Sequence, residues 1–236
     1  MAETPRLAHL MVLLFLGSGF GIAAGLLVLL CGAALGKKLL AQMGAALALA
    51  CAGGYSLLLL GTGVLAPNKT LSYGEWKYFC EADCHIAYSI ASVQTGKTLG
   101  AESNLTQANG EFVVVHLKTW FDEKSIAKFR GNAPLTPDPR QVTLVAASGR
   151  TYAPVSLKAG VLSGESTALS QPLRPGESYL TSFVFDVPRS TGDLRLLIAD
   201  KDPISKLLVD HENSPFHGKI YLGLSTASGS SQSASR

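Results

Sequence analysis

Charged residues are scarce in the first third of this 236-residue chain. Residues 7–36 contain one histidine, His9, and no Asp, Glu, Lys or Arg, while residues 39–68 contain none of these five types. A soluble helix of comparable length normally carries a polar face. Both stretches are apolar all round, so the sequence argues against an ordinary soluble helical domain at this end of the chain.

An excess of one charge sign is also missing from the rest of the chain. Of the 20 Lys and Arg residues only Arg6, Lys37 and Lys38 precede Asn68, and of the 17 Asp and Glu residues only Glu3 does, which leaves a net charge of +1 beyond Asn68. A nucleic-acid-binding domain displays a basic face. The near-neutral balance therefore gives no electrostatic case for nucleic acid as a partner.

The familiar catalytic motifs are absent as well. The sequence contains no Gly-x-Ser-x-Gly, no His-Glu-x-x-His, no glycine-rich phosphate loop and no Cys-x-x-Cys. Methionine, a soft ligand for copper, does not occur after Met43. We therefore expect a protein that is not an enzyme.

Both apolar stretches are long enough to cross a lipid bilayer. A helix rises ~1.5 Å per residue and the hydrocarbon core is ~30 Å thick, so about 20 apolar residues suffice. The sequence predicts transmembrane helices at residues 10–35 and 39–66, preceded by a short tail of residues 1–9. The lipid bilayer is thus the first expected partner.

A very short linker containing Lys37 and Lys38 joins the two predicted helices, which must therefore form an antiparallel hairpin. Lysine and arginine are enriched on the cytoplasmic side of membrane proteins. We expect a multi-pass protein of the inner membrane whose linker is cytoplasmic. Residues 67–236 are then extracytoplasmic.

Small residues recur every four positions on one stripe of each predicted helix. Such stripes let helix backbones approach closely in lipid. Either the hairpin packs against itself through these residues, or the first stripe joins copies of the chain in a homo-oligomer. The stripes are Gly17, Gly21 and Gly25 in the first helix and Gly44, Ala48 and Ala52 in the second.

Beyond residue 66 the sequence changes to short runs of β-branched and aromatic residues, separated by Gly, Pro, Asn and Ser. Such runs predict strands, and successive strands without long helices between them predict an all-β sandwich, here over residues 67–224. The predicted strands cover residues 76–79, 85–93, 111–121, 141–147, 178–187, 194–199 and 219–222. A short helix at 123–129 and a disordered Ser-rich tail at 225–236 complete the prediction.

Alternation of apolar residues is clearest in two of these strands. Val113, Val115 and Leu117 share one strand face, and Phe183 and Phe185 share another. Side chains alternate across a strand, so each of these sets is predicted to lie on one face of its strand.

Three motifs follow one another in the second half of this domain. They are Gly149-x-x-Tyr152, Leu173-x-Pro175-Gly176-Glu177 and Val184-Phe185-x-Val187-Pro188. In this order they resemble the bacterial immunoglobulin-like domains of unknown function that occur in secreted and lipid-anchored proteins. The resemblance implies an immunoglobulin-like sandwich outside the cytoplasm. It implies little about function, because such sandwiches host many roles.

The segment from Cys80 to His85 is the most chemically suggestive part of the sequence. An extracytoplasmic location favours a disulfide between Cys80 and Cys84. Four residues of continuous strand span ~13 Å, whereas a disulfide needs Cα atoms within about 7 Å, so this bond requires a turn between them. Alternatively, a continuous strand would place both thiols in the core.

A metal site is a third interpretation, because thiolates and imidazole suit copper or zinc. Cys80, Cys84 and His85 would then be joined by His116, His211 or His217. The Cys-x-x-x-Cys spacing resembles copper domains of respiratory oxidases, but Tyr88 stands where those domains have a histidine. Covalent haem through Cys-x-x-x-Cys-His is a fourth interpretation, to which a strand is ill suited.

Two functions remain in view at this point. The first is a membrane-anchored, non-enzymatic module of the cell envelope that binds a protein partner. The alternative is a copper- or zinc-binding or thiol-redox accessory protein that uses Cys80, Cys84 and His85. His211 and His217 lie in a polar segment, which we expect to be solvated unless it contributes to that metal site.

Overall fold

The fold was analysed in a computed structural model that describes residues 8–79, 85–101, 104–126, 128–157, 161, 166–189 and 191–224. Within these residues the chain divides into two compact units. One contains the helices and the segment Asp202–Lys219, and the other contains the strands. Each unit is described separately.

The first unit is built around two long helices. Helix α1 covers Ala8–Ala34 and helix α2 covers Lys38–Leu65, within three residues of the predicted bounds. Both helices are long and apolar enough to cross a membrane. The residues between them form a tight turn, so the helices are antiparallel.

Small residues face each other between the two helices. A Cβ atom added at Gly25 would lie 2.7 Å from the backbone nitrogen of Ala48, which leaves room for hydrogen only. Gly44 is similarly close to the backbone of Leu29. The large side chains point outward, and Phe20 and Leu57 are 77% and 75% exposed. This arrangement is the reverse of that in a soluble helix pair.

The segment Asp202–Lys219 packs with the helices, although it was expected within the sandwich. It contains a 3-10 helix at Pro203–Leu207 that was not predicted. Asp202 caps this helix by accepting a hydrogen bond from Ile204 N at 2.9 Å. Leu208 and Val209 are buried within the unit.

The second unit is a β-sandwich of nine described strands. One sheet has the order β1-β9-β8-β5-β6 and the other has the order β2-β3-β4-β7. All neighbours are antiparallel except β1 and β9. The strands are β1 Lys69–Leu71, β2 Lys77–Phe79, β3 Ile86–Leu99, β4 Thr106–Phe121, β5 Arg140–Ala146, β6 Thr151–Tyr152, β7 Ser178–Val187, β8 Leu194–Asp200 and β9 Ile220–Gly223.

The sandwich itself was predicted from the sequence and is confirmed, and each predicted strand has a counterpart. Strands β1 and β6 were not predicted. The predicted helix at 123–129 is wrong, because only Glu123–Ser125 form a single 3-10 turn and Ile126 is already extended. Asp122 accepts a hydrogen bond from Lys124 N at 2.9 Å, and this bond stabilises the single 3-10 turn.

The core between the sheets contains the alternating apolar residues of β4 and β7, which are neighbouring strands of one sheet. Val115, Leu117 and Phe185 have no exposed surface and belong to one large cluster. The opposite face of β4 is also buried near its start, where Phe112 and Val114 form a second, smaller cluster. Strand β4 therefore packs apolar side chains on both faces.

Candidate functional site

His85 lies directly before β3, at the border of the described residues. Its side chain is largely buried, and its ring stacks on Phe121 at 5.5 Å between centroids. The Nδ1 atom lies 2.8 Å from Ser125 Oγ. Cys80 and Cys84, which were predicted to act with this histidine, lie outside the described residues.

The other candidate histidines form hydrogen bonds or polar contacts with residues near them in the structure. His211 Nδ1 accepts a hydrogen bond from Asn213 N at 3.0 Å. His217 Nδ1 lies 2.6 Å from Gly218 O, and its Nε2 lies 3.4 Å from Asp210 Oδ1. His116 belongs to the sandwich, where its Nδ1 lies 2.8 Å from Ser182 Oγ.

A metal centre is not formed within the described part of the chain. No group of three His, Cys, Asp or Glu side chains placed to hold an ion occurs there. His85 belongs to the sandwich unit, whereas His211 and His217 belong to the helical unit. Because Cys80 and Cys84 fall outside these residues, the disulfide, core-thiol, metal and haem interpretations all stay predictions.

Three charged side chains are buried inside the sandwich, and the sequence analysis did not single them out. Lys77 is 2% exposed, and its Nζ donates hydrogen bonds to Ile198 O at 2.7 Å and to Ile220 O at 2.9 Å. Arg140 forms a salt bridge with Asp200 at 3.1 Å. We call Lys77, Arg140 and Asp200 the buried charge cluster. The only signal for this cluster in the sequence is the position of Lys77 two residues before Phe79, because side chains alternate along a strand and these two therefore share one face.

Two aromatic rings complete the surroundings of the buried charge cluster. The guanidinium carbon of Arg140 lies 4.1 Å from the ring centroid of Phe79, within the range of a cation–π interaction. Burial raises the pKa of Tyr88 to about 12, although the nearby Arg140 charge acts in the opposite direction. Tyr88 therefore stays neutral at physiological pH. The cluster has little access to solvent, so its role is to join the two sheets rather than to bind a ligand.

A surface groove of about 530 Å³ lies on the sandwich. It combines three leucines with two hydroxyl groups and one charge of each sign. Arg195 is held in place because its guanidinium carbon lies 3.8 Å from the ring centroid of Tyr221. We call this site the β1 groove. Its lining residues are Thr70, Leu71, Ser72, Ala147, Asp193, Leu194, Arg195, Gly223 and Leu224.

The β1 groove lies at one end of the five-stranded sheet, where its lining residues come from or lie next to the ends of β1, β5, β8 and β9. Among the described residues, strand β1 is the terminal strand of that sheet and pairs with β9. An edge strand presents backbone N–H and C=O groups to which another extended chain can bind. The groove thus presents apolar side chains, two hydroxyl groups and two opposite charges. Sequence reasoning missed it because β1 is only three residues long.

No protein-family model matches the chain, and no curated protein matches it. The sandwich is similar to the secreted protein MPT63 from Mycobacterium tuberculosis, with 12% identity, a TM-score of 0.42, and coverage of 67% of this chain and 98% of that one. It is also similar to an uncharacterized β-sandwich protein from Clostridium difficile 630, with 12% identity, a TM-score of 0.37, and coverage of 68% and 96%.

Both TM-scores lie below 0.5, so the assignment of a β-sandwich rests on the strand pairing within this chain.

Proposed function

We propose that the protein is a membrane-anchored, non-enzymatic module of the cell envelope. The helical hairpin anchors it in the inner membrane. The immunoglobulin-like sandwich lies on the extracytoplasmic side and binds an extended segment of an envelope protein in the β1 groove. The observation that carries the anchor is the outward orientation of the large apolar side chains of both helices.

The number of these side chains indicates lipid rather than water as their solvent. Burying one large apolar side chain is worth about 1.5–3 kcal/mol. More than a dozen such side chains of α1 and α2 are exposed, including Phe20, Leu49 and Leu57. Leaving them in water would forgo more free energy than the 5–15 kcal/mol that typically stabilises a folded protein.

The orientation follows from the turn between the helices. Lys37 and Lys38 are the strongest basic cluster near either helix end. The tendency of basic residues to stay in the cytoplasm places this turn inside, and both α1 and α2 then run outward from it. The sandwich, which follows α2, is accordingly extracytoplasmic.

The chemistry of the β1 groove supports an extended polypeptide as its ligand. An extended segment binds next to the terminal strand β1, and the apolar groove residues contact alternate side chains of that segment. Asp193 and Arg195 would select a ligand segment that carries complementary charges.

Protease protection in spheroplasts tests the orientation. Protease added outside should digest the sandwich while leaving the hairpin, and lysis should add no further cleavage of the sandwich. A sandwich that is protected until lysis would contradict the proposal.

Site-specific photocrosslinking in native membranes tests the groove. A photoreactive amino acid at Thr70, which is exposed on β1, should give a discrete protein adduct that Arg195→Glu weakens. The matched control is Thr151, which is also exposed and lies on β6 at the other edge of the same sheet. Equal adducts from both positions, or none from Thr70, would contradict binding in the groove.

Metal analysis of the same protein separates this proposal from the copper or zinc alternative. The expected result is no stoichiometric metal. Copper or zinc bound at one ion per chain and lost on Cys84→Ser would replace an interaction module with a metal-handling protein. A thiol count on the denatured, unreduced protein would establish the state of Cys80 and Cys84.

A further inference from the structure

The segment Asp202–Lys219 follows the outer part of α2 over several helical turns. The Tyr55 hydroxyl donates a hydrogen bond to Leu207 O, and Asp210 N donates one to Thr62 Oγ1 at 3.3 Å. Near the end of the helix, Gly218 N donates to Ala66 O at 3.2 Å. From Tyr55 to Ala66 the helix rises about 16 Å, at ~1.5 Å per residue.

Direct backbone contact fixes the segment on the helix. A Cβ atom at Gly63 would overlap the carbonyl oxygen of Pro215, so the segment lies against bare helix backbone there. Within the same unit Leu208 and Val209 are buried. The segment is therefore held in place and is not a loosely attached loop.

The opposite side of the segment displays large apolar side chains. Ile204 is 52% exposed, Leu207 is 48% exposed and Phe216 is 76% exposed. We call these three residues the apolar collar. On the neighbouring end of α2, Val64 and Leu65 are 70% and 83% exposed, so the collar extends an apolar surface that the helix already presents.

The backbone at Phe216 is unusual for a bulky residue. Its φ angle is 64°, in the left-handed region that residues with a large side chain seldom adopt. Such strain persists when the surroundings compensate for it. Burial of the phenyl ring in an apolar medium would offset this cost, whereas exposure of the ring to water would not.

The length of α2 indicates the depth at which the collar lies. Helix α2 has 28 residues and is about 42 Å long, whereas the hydrocarbon core is about 30 Å thick. Counted from Lys38, the core is crossed after roughly 20 residues, close to Tyr55. Tyrosine is enriched at that boundary, and Leu207 is hydrogen-bonded to this tyrosine.

We infer that the apolar collar is a second membrane-contact site, at which Ile204, Leu207 and Phe216 insert into the outer interfacial layer of the lipid bilayer. The inference rests on the proposed membrane anchor and adds a segment distant in sequence to the lipid-embedded surface. Side chains of this kind enter ~5–10 Å into the headgroup and acyl boundary. The collar thereby fixes the outer end of α2 at a defined depth.

Paramagnetic broadening by spin-labelled lipid tests the inference on the full chain. The protein is labelled with 5-fluorotryptophan and reconstituted into vesicles of phosphatidylcholine and phosphatidylglycerol that carry a nitroxide on the fifth acyl carbon. The ¹⁹F line of a Phe216→Trp reporter should broaden roughly threefold or more, and that of a Leu207→Trp reporter likewise. The lines of Trp76 and Trp120, whose rings pack at 5.1 Å in the sandwich, report whether that unit is folded.

Two further reporters make the outcomes distinguishable. Phe20→Trp, on the outward face of α1, should broaden with a nitroxide on the twelfth acyl carbon, which tests the anchor alone. Phe129→Trp replaces an equally exposed phenylalanine of the sandwich, 94% exposed, and should not broaden. Broadening at position 20 without broadening at positions 207 and 216 would overturn the collar and leave the anchor standing.

Each of the remaining outcomes would overturn the collar. Broadening at neither position 20 nor position 216 would overturn the anchor and the collar together. Equal broadening at positions 129 and 216 would show unspecific contact with lipid, and it would overturn the collar. Broadening at position 216 in lipid without nitroxide, caused by a second copy of the chain that itself carries a nitroxide, would identify that copy as the occupant instead.

Discussion

The two units of this chain follow opposite packing rules. In the sandwich, large side chains such as Phe121 and Phe185 are completely buried. In the hairpin, Gly25 and Gly44 occupy the contact and large side chains such as Phe20 point outward. Phenylalanine fills the space between neighbouring elements of the sandwich, whereas glycine lets the two helix backbones of the hairpin approach each other closely. Close packing is thus achieved by large side chains in one unit and by small residues in the other.

The largest expected effect is the loss of a buried ring in the sandwich. Phe185→Ala removes a fully buried side chain and should lower the free energy of unfolding by about 3–5 kcal/mol. Leu180→Ala on the same strand, where the side chain is 41% exposed, should cost less than about 1.5 kcal/mol. Urea titration of the full chain in detergent, followed by tryptophan fluorescence, measures both. Equal costs would remove the contrast between core and surface.

The next effect concerns the buried charge cluster. Asp200→Ala leaves the cationic side chains of Lys77 and Arg140 buried without this carboxylate, and it should cost about 3 kcal/mol or more. Asp138 also faces Arg140, at 3.7 Å, but its side chain is 59% exposed. Asp138→Ala should therefore change the same free energy by less than about 1 kcal/mol. A small effect of Asp200→Ala would show that the charges are solvated.

Replacing a glycine of the hairpin by a large residue should weaken the packing of its two helices. Gly44→Leu forces a side chain into the backbone of α1 and should weaken helix packing by about 1–3 kcal/mol, whereas Gly17→Leu, which has no atom within 4 Å, should be tolerated. The readout is a disulfide between Cys51 and Gly21→Cys. The Cβ of the introduced residue lies 3.6 Å from that of Cys51, so the bond should form readily on oxidation.

Mass spectrometry of the oxidised protein then distinguishes the two uses of the glycine stripe. Intramolecular disulfide that disappears with Gly44→Leu would support packing within the hairpin. Intermolecular disulfide from Gly17→Cys would support a homo-oligomer through Gly17, Gly21 and Gly25.

The smallest effect is a pH dependence of the sandwich. Burial alone raises the pKa of Asp186, but hydrogen bonds from Gly110 N and from the N and Nδ2 atoms of Asn109 outweigh it, so the pKa is lowered on folding. A lowered pKa in the folded state stabilises the protein above the pKa of the unfolded state, about 3.9, and this contribution is lost as the pH falls through the folded value. The carboxylate is largely solvated, so the contribution should stay below about 1 kcal/mol.

Urea midpoints between pH 7 and pH 2.5 provide the measurement. The midpoint should fall more steeply below pH 4 in the unmodified chain than in Asp186→Asn. Parallel curves would show that this clamp between β4 and β7 contributes no pH dependence.

The sequence alone predicted an element correctly where each face of that element has a single kind of surroundings. The alternation in residues 178–187 predicted both ends of β7 correctly, because Phe183 and Phe185 lie on one face of this strand and pack in the core. The two uncharged stretches predicted both helices for a related reason, because the residues on every face of these helices are predominantly apolar. Neither signal depends on a distant part of the chain.

Features that depend on distant residues could not be predicted in this way. Strand β1 is a strand because β9 pairs with it, and nothing in Lys69–Leu71 alone indicates this. Lys77 is tolerated in the core because the carbonyl groups of Ile198 and Ile220 accept its hydrogen bonds. The segment Asp202–Lys219 has a polar sequence typical of a loop, yet it packs on α2 through backbone contacts that have no signature in composition.

The pairing of β1 with β9 has a consequence for biosynthesis. These strands are joined in register from Lys69↔Ile220 onward, so β1 waits for a partner that is translated about 150 residues later. At roughly 5–20 residues per second, the ribosome needs on the order of ten seconds or more to supply it. During that interval the two helices are already synthesised, while one sheet of the sandwich still lacks strand β9. The nascent chain therefore passes through a stage at which an open sheet edge invites chaperones or premature association.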